Sequence, residues 1–80
     1  MFPKEIKAER EMLEGGRFAF NLRHDTLGEL GRIVLQSAKF GGSSVSYEVI
    51  DLPDGRFEQR KAMMDSLVKI VTAALAKARS

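Results

Sequence analysis

Residues 24–42 read HDTLGELGRIVLQSAKFGG, and their conformation decides how many strands the fold contains. A Thr followed three residues later by Glu is the capping-box pattern of a helix start, and apolar residues then recur at helical spacing. Against this, Gly28 and Gly31 would each cost about 1 kcal/mol relative to Ala inside a helix. The pattern favours a helix over residues 26–40, and the alternative is a strand over residues 30–37.

Two stretches beside this segment alternate between apolar and polar residues, as strands do. RFAFNLR at residues 17–23 and SVSYEVID at residues 44–51 each place aromatic or β-branched side chains on one face. The Pro, Asp and Gly of LPDGRF, residues 52–57, are typical of a tight hairpin. They predict a short third strand over residues 56–58.

The C-terminal stretch QRKAMMDSLVKIVTAALAKARS, residues 59–80, gives the clearest signal in the chain. It contains no Gly or Pro and is rich in Ala, Leu, Lys and Met, which predicts a long helix. The apolar stripe of this helix is wider than a coiled-coil seam, so a sheet is expected beneath it. The centre of the stripe consists of Met64, Leu67, Val71, Ala74 and Ala78.

The N-terminal residues predict a weaker helix. Pro3 suits a first helical turn, a run of good helix formers follows, and Gly15 with Gly16 can end a helix in the left-handed conformation. Because the apolar stripe of this segment is thin, we expect residues 1–16 to form a lightly docked or mobile helix.

These elements predict a single small α+β domain over residues 1–80. The expected order is α-β-α-β-β-α, with the long C-terminal helix packed on a short, mainly antiparallel sheet. If residues 30–37 form a strand, the order becomes α-β-β-β-β-α.

Composition excludes several classes of protein. Hydrophobic residues make up 44% and charged residues 30% of the chain, which indicates a folded domain rather than a disordered one. A net charge of +2 with interspersed signs favours anionic partners only weakly. The absence of Cys excludes disulfides and thiolate metal sites and suits the cytoplasm, where we place the protein. No apolar run approaches the ~20 residues that span a bilayer, so we expect no membrane contact.

Groups that could perform catalysis are scarce. His24 is the only histidine, and Asp25 beside it would point to the opposite face of a strand. Neither a Ser-His-Asp arrangement nor a metal-ligand spacing is present in the sequence. We therefore predict that the protein is not an enzyme and has no catalytic residues, cofactor or metal.

Two short stretches resemble parts of nucleic-acid-binding families. GELG, residues 28–31, resembles the glycine loop of KH domains, whose backbone approaches phosphates. AFNLR, residues 19–23, resembles the strand that ribbon-helix-helix proteins place in the major groove of DNA. The chain departs from both patterns: too few residues precede GELG for the KH helix, and residues 44–52 alternate like a strand where ribbon-helix-helix proteins have their second helix.

The sequence thus predicts a small interaction module, a regulator, inhibitor or accessory subunit that docks on a protein partner. A homodimer is expected because a small sheet leaves unpaired edges. The alternative is a nucleic-acid-binding regulator that uses the basic residues around the last helix, namely Arg56, Arg60, Lys61 and Lys69.

Overall fold

The computed structural model describes residues 2–37 and 43–79, which form a four-stranded antiparallel sheet and one long helix. The fold is therefore α+β, as the sequence indicates. The observed order is β-β-β-β-α, so both orders expected from the sequence are wrong. The elements are β1 (Ile6–Met12), β2 (Arg17–His24), β3 (Gly28–Ser37), β4 (Ser43–Val49) and α1 (Phe57–Arg79), and the strands lie side by side in chain order.

The helix expected within residues 1–16 is wrong, because Ile6–Met12 is the edge strand β1. Every residue of β1 pairs antiparallel with β2, from Ile6 opposite His24 to Met12 opposite Phe18. This pairing overrides the helix propensity of the segment, which is only a weak preference. Gly15 and Gly16 have φ angles of +73° and +74° and reverse the chain between the two strands instead of ending a helix.

The stretch that decided between the two expected orders is a strand. Gly28–Ser37 forms β3, so the helix over residues 26–40 is wrong, and residues 38–40 lie outside the described part of the chain. Gly31 explains the outcome: its φ is +137°, and a Cβ there would collide with the carbonyl oxygen of Glu48 on β4. A helix does not use that backbone conformation, whereas a glycine in a strand can adopt it where another backbone approaches closely.

Thr26, the possible helix cap in this stretch, belongs to a turn instead. His24 Nδ1 accepts hydrogen bonds from the backbone N–H groups of Thr26, at 3.0 Å, and Leu27, at 3.2 Å. These bonds shape the turn from β2 into β3. The glycines of GELG therefore belong to a turn and a strand rather than to the start of a helix.

The short strand expected over residues 56–58 is also wrong, because α1 begins at Phe57. The Asp54 carboxylate accepts a hydrogen bond from the Arg56 backbone N–H at 3.1 Å. The Arg56 carbonyl in turn accepts the hydrogen bond of the Arg60 N–H at 3.0 Å. The Pro-Asp-Gly turn thus leads into a capped helix and not into a hairpin.

The core lies between α1 and one face of the sheet, which we call the helix face. Met64, Leu67 and Val71 are at most 2% exposed, which confirms three residues of the predicted stripe; Ala74 is half-buried, and the side chain of Ala78 lies outside the described part of the chain. The core cluster consists of Ile6, Leu22, Leu30, Ile33, Leu35, Met64, Leu67 and Val71.

Candidate protein-docking surface

The helix covers only half of the helix face. In the described part of the chain, the backbone of α1 lies close to β3 and β4 and farther from β1 and β2, although Ile6 of β1 and Leu22 of β2 share the buried core with the helix side chains. Neighbouring strands are about 4.8 Å apart and a helix with side chains is about 10 Å wide, so one helix covers about two strands. Most of the helix face of β1 and β2 therefore lies beside α1, and only Ile6 and Leu22 of these strands reach the core.

The uncovered strands present a largely apolar surface. Side chains alternate between faces along a strand, and the register of β1 on β2 places Ala8, Arg10, Met12, Phe18 and Phe20 on the helix face beyond the buried Ile6 and Leu22. Phe18 and Phe20 are half-buried, Ala8 and Arg10 are exposed, and Met12 is 68% exposed. An exposed Met beside two partly covered aromatic rings is typical of a contact surface.

Edge-to-face contacts fix the aromatic rings. The Phe18 and Phe20 ring centroids are 5.6 Å apart with an interplanar angle of 87°, and Phe2 meets Phe20 at 6.0 Å and 80°. The guanidinium carbon of Arg10 lies 4.7 Å from the Phe18 centroid, a cation–π contact that leaves the charge at the surface. The floor of this surface is therefore preorganised.

One side of α1 forms a wall along this floor. Tyr47 on β4 donates a hydrogen bond from its hydroxyl to Asp65 at 2.9 Å, which raises the pKa of Tyr47 and places the Asp65 side of the helix over β4. The opposite side of the apolar stripe must then point toward β2, and it carries the half-buried Met63 and Ile70. We call the whole surface the open groove: Ala8, Arg10, Met12, Phe18, Phe20, Met63 and Ile70.

A buried arginine fixes the helix in this position. Arg60 is 2% exposed, and both of its terminal nitrogens bond the Asp54 carboxylate. Its remaining donors reach two backbone carbonyls near the β2–β3 turn, those of Glu29 at 3.1 Å and Leu27 at 2.9 Å. The bonds from Arg60 hold the pKa of Asp54 well below its usual range. The N-terminus of α1 is thereby tied to the start of β3.

The structure does not bring together the four basic residues of the nucleic-acid alternative. Arg56, Lys61 and Lys69 are exposed, but Arg60 lies in the interior with its donors used by Asp54 and the backbone. Lys61 and Lys69 are eight residues apart, about 12 Å along the helix axis. The structural role of Arg60 was missed from the sequence, where a helix-start arginine is usually exposed.

The opposite face of the sheet is polar and balanced in charge. Arg23 pairs with Glu29 at 3.5 Å, and Arg32 pairs with Glu48 at 3.4 Å. A shallow trough of about 650 Å³ crosses this face, and its charged lining residues are Lys7, Glu9, Arg23, Glu29, Arg32 and Glu48. Three positive and three negative side chains create no field of one sign, so the trough offers no phosphate site.

Residues 2–37 and 43–79 contain neither a metal-ligand cluster nor a helix suited to a bilayer. These residues contain no group of three or more His, Cys, Asp or Glu that could hold a metal ion. None of their helices combines the length and apolar character that crossing a bilayer requires.

Comparison with models of protein families, with curated proteins and with solved structures finds no match to this chain.

Proposed function

We propose that this chain is a non-enzymatic interaction module, a regulator, inhibitor or accessory subunit that binds an amphipathic helix of a partner protein in the open groove. One observation carries the proposal: within residues 2–37 and 43–79, most of the apolar helix face of β1 and β2 has no helix backbone over it. The uncovered half is two strands wide, about 10 Å, which is the diameter of one helix.

The chemistry of the groove favours a particular kind of helix. Met12 and Met63 have flexible, polarisable side chains that adapt to the apolar residues of a partner. Such a partner would supply anchors at positions i, i+3 or i+4, and i+7. Arg10 is the one charge among the groove residues, so an acidic residue beside the apolar anchors would complete the contact.

Protein binding is better supported than nucleic-acid binding. Proteins that bind single strands combine a positively charged groove with aromatic faces on which bases stack. Here the Phe18 and Phe20 rings meet edge to face, and Arg10 already covers the face of Phe18. One arginine in an apolar groove is a weak phosphate site, since phosphate binding depends on several cations.

Photo-crosslinking tests the proposal in the native cells. A photoactivatable residue at position 12 lies in the groove, and the same residue at position 36 lies on the polar face, where Gln36 is exposed. We expect position 12 to capture a discrete protein partner and position 36 to capture much less. Mass spectrometry of the cross-linked peptide should identify a segment with apolar residues at helical spacing and an acidic neighbour.

Two results would contradict the proposal. Equal capture at both positions would mean that the groove is not a preferred surface. Cross-links from position 12 to nucleic acid instead of protein would favour the alternative function.

A further inference from the structure

The two edges of the sheet differ in their protection against pairing. Four of the seven residues of β1 are charged, IKAEREM, whereas β4 reads SSVSYEV and carries one charge, Glu48. Natural proteins protect edge strands with charges, especially Lys, and with Pro or bulges. The β4 edge has no Lys or Pro, and its register with β3 contains no bulge. Within the described residues, no other strand covers it.

The backbone groups at this edge can be assigned from one hydrogen bond. The Ile50 N–H donates to the Leu30 carbonyl at 2.9 Å, so Ile50 points its backbone groups toward β3. In an antiparallel ladder, alternate residues bond the same neighbour. Counting back from Ile50, the backbone groups of Val45, Tyr47 and Val49 point outward.

We propose that β4 pairs antiparallel with β4 of a second copy of this chain, about a two-fold axis at Ser46. The two sheets then form one continuous sheet of eight strands. Val45 lies opposite Tyr47 of the second copy, Ser46 opposite Ser46, and Ser44 opposite Glu48. This surface is separate from the open groove, which lies on the β1–β2 side of α1.

The register follows from the backbone and the side chains together. A shift by one residue would place outward-pointing backbone groups opposite inward-pointing ones and would move every side chain to the wrong face. With the axis at Ser46, a β-branched residue meets an aromatic ring, which is a favourable cross-strand pair. The only charge of β4, Glu48, faces a serine, so no like charges meet.

The helices also fit this arrangement. Because α1 lies over β3 and β4, its axis is about one strand spacing, 4.8 Å, from the two-fold axis. The two copies of α1 would run antiparallel at about 10 Å, within the usual range of helix packing. The two helices would meet along the side of α1 that carries Asp65. On that side Val68 is half-buried and Thr72 is exposed. Dimer formation would bury both residues.

Sedimentation of the full chain tests the pairing. We expect a species of twice the 8.9 kDa chain mass. Val45→Pro removes an outward-pointing N–H and no bond to β3, so it should give a monomer with an unchanged circular dichroism spectrum. A monomeric wild-type chain would overturn the proposal, and so would a dimer that a folded Val45→Pro variant preserves.

A disulfide test fixes the register and does not depend on the proline variant. The chain contains no Cys, and Ser46 would form a non-hydrogen-bonded pair with its own copy, with Cα atoms about 4.5 Å apart, which a disulfide can bridge. With oxidised glutathione as oxidant, Ser46→Cys should cross-link almost completely. Ser44→Cys, about 13 Å from its copy, should not. Equal cross-linking of the two variants would overturn the register, whatever the groove binds.

Discussion

The two halves of the helix face have similar apolar strand residues but different surroundings. Under α1, Ile33 is fully buried and Leu35 is 3% exposed. Beside α1, Phe18 and Phe20 remain half-buried and Met12 is 68% exposed. The difference arises from the position of the helix, which the Arg60 contacts fix over β3 and β4. We infer that the covered half stabilises the fold and that the open half is available for binding.

The largest expected effect is in the covered half. Leu67 is 1% exposed, so Leu67→Ala should lower the free energy of unfolding by about 2–5 kcal/mol. The matched change on the exposed side of the helix, Lys69→Ala, should cost about 0.5 kcal/mol or less. Denaturant unfolding of both variants measures the difference. Similar small losses in the two would mean that α1 does not form the core with the sheet.

The next effect concerns the residue that places the helix. Arg60→Met removes the Arg60 donors from the carbonyls of Leu27 and Glu29 and leaves the Asp54 carboxylate with its bond from the Arg56 N–H. We expect its melting temperature to lie between those of Leu67→Ala and Lys69→Ala. Lys61→Met, an exposed neighbour on the same helix, is the control. If both Met variants melt alike, Arg60 does not fix the helix.

Acid should weaken the same connection. The pKa of Asp54 is lower in the folded state than in the unfolded state, mainly because of its hydrogen bonds from Arg60. The unfolded chain therefore takes up the proton first, and the stabilisation by Asp54 is complete above pH of about 4 and is lost as the pH falls further.

The comparison of wild type with Asp54→Asn measures this contribution. We expect a constant difference in the free energy of unfolding near neutral pH and a shrinking difference below a pH of about 4. Asp25→Asn, at an exposed position in the β2–β3 turn, is the control. A difference that persists unchanged in acid would exclude the ionised Asp54–Arg60 pair as its source.

The smallest effect on stability is expected in the open half. Met12→Ser should change the free energy of unfolding by about 0.5 kcal/mol or less, because the side chain is 68% exposed. The same change should weaken binding of the partner captured at position 12. A large loss of stability without a change in binding would assign Met12 to the core.

The elements predicted correctly are those whose local pattern agrees with their packing. The alternation of Phe18, Phe20 and Leu22 indicates β2, and the wide stripe around Leu67 indicates α1. In β1 the alternation of Ile6, Ala8 and Met12 is interrupted by Arg10 on the same face. Because the residues between them are good helix formers, the local sequence favours a helix over the strand that forms.

The remaining features depend on contacts between distant residues. Gly31 is required by the approach of Glu48, seventeen residues later, and no local pattern reveals it. Arg60 is interior because Asp54 and two turn carbonyls surround it, although arginine is rarely buried. The open groove follows from where α1 lies on the sheet, which sequence periodicity does not specify.

Methyl NMR of the methionines in a soluble paramagnetic agent tests most directly whether the helix leaves half of its face open. Met12 lies in the open half, and Met63 of α1 forms the groove wall. Met64, also on α1, is fully buried between the helix and the sheet. We predict strong broadening of the Met12 methyl signal, intermediate broadening for Met63 and very little for Met64. Equal protection of Met12 and Met64 would contradict an open groove beside α1.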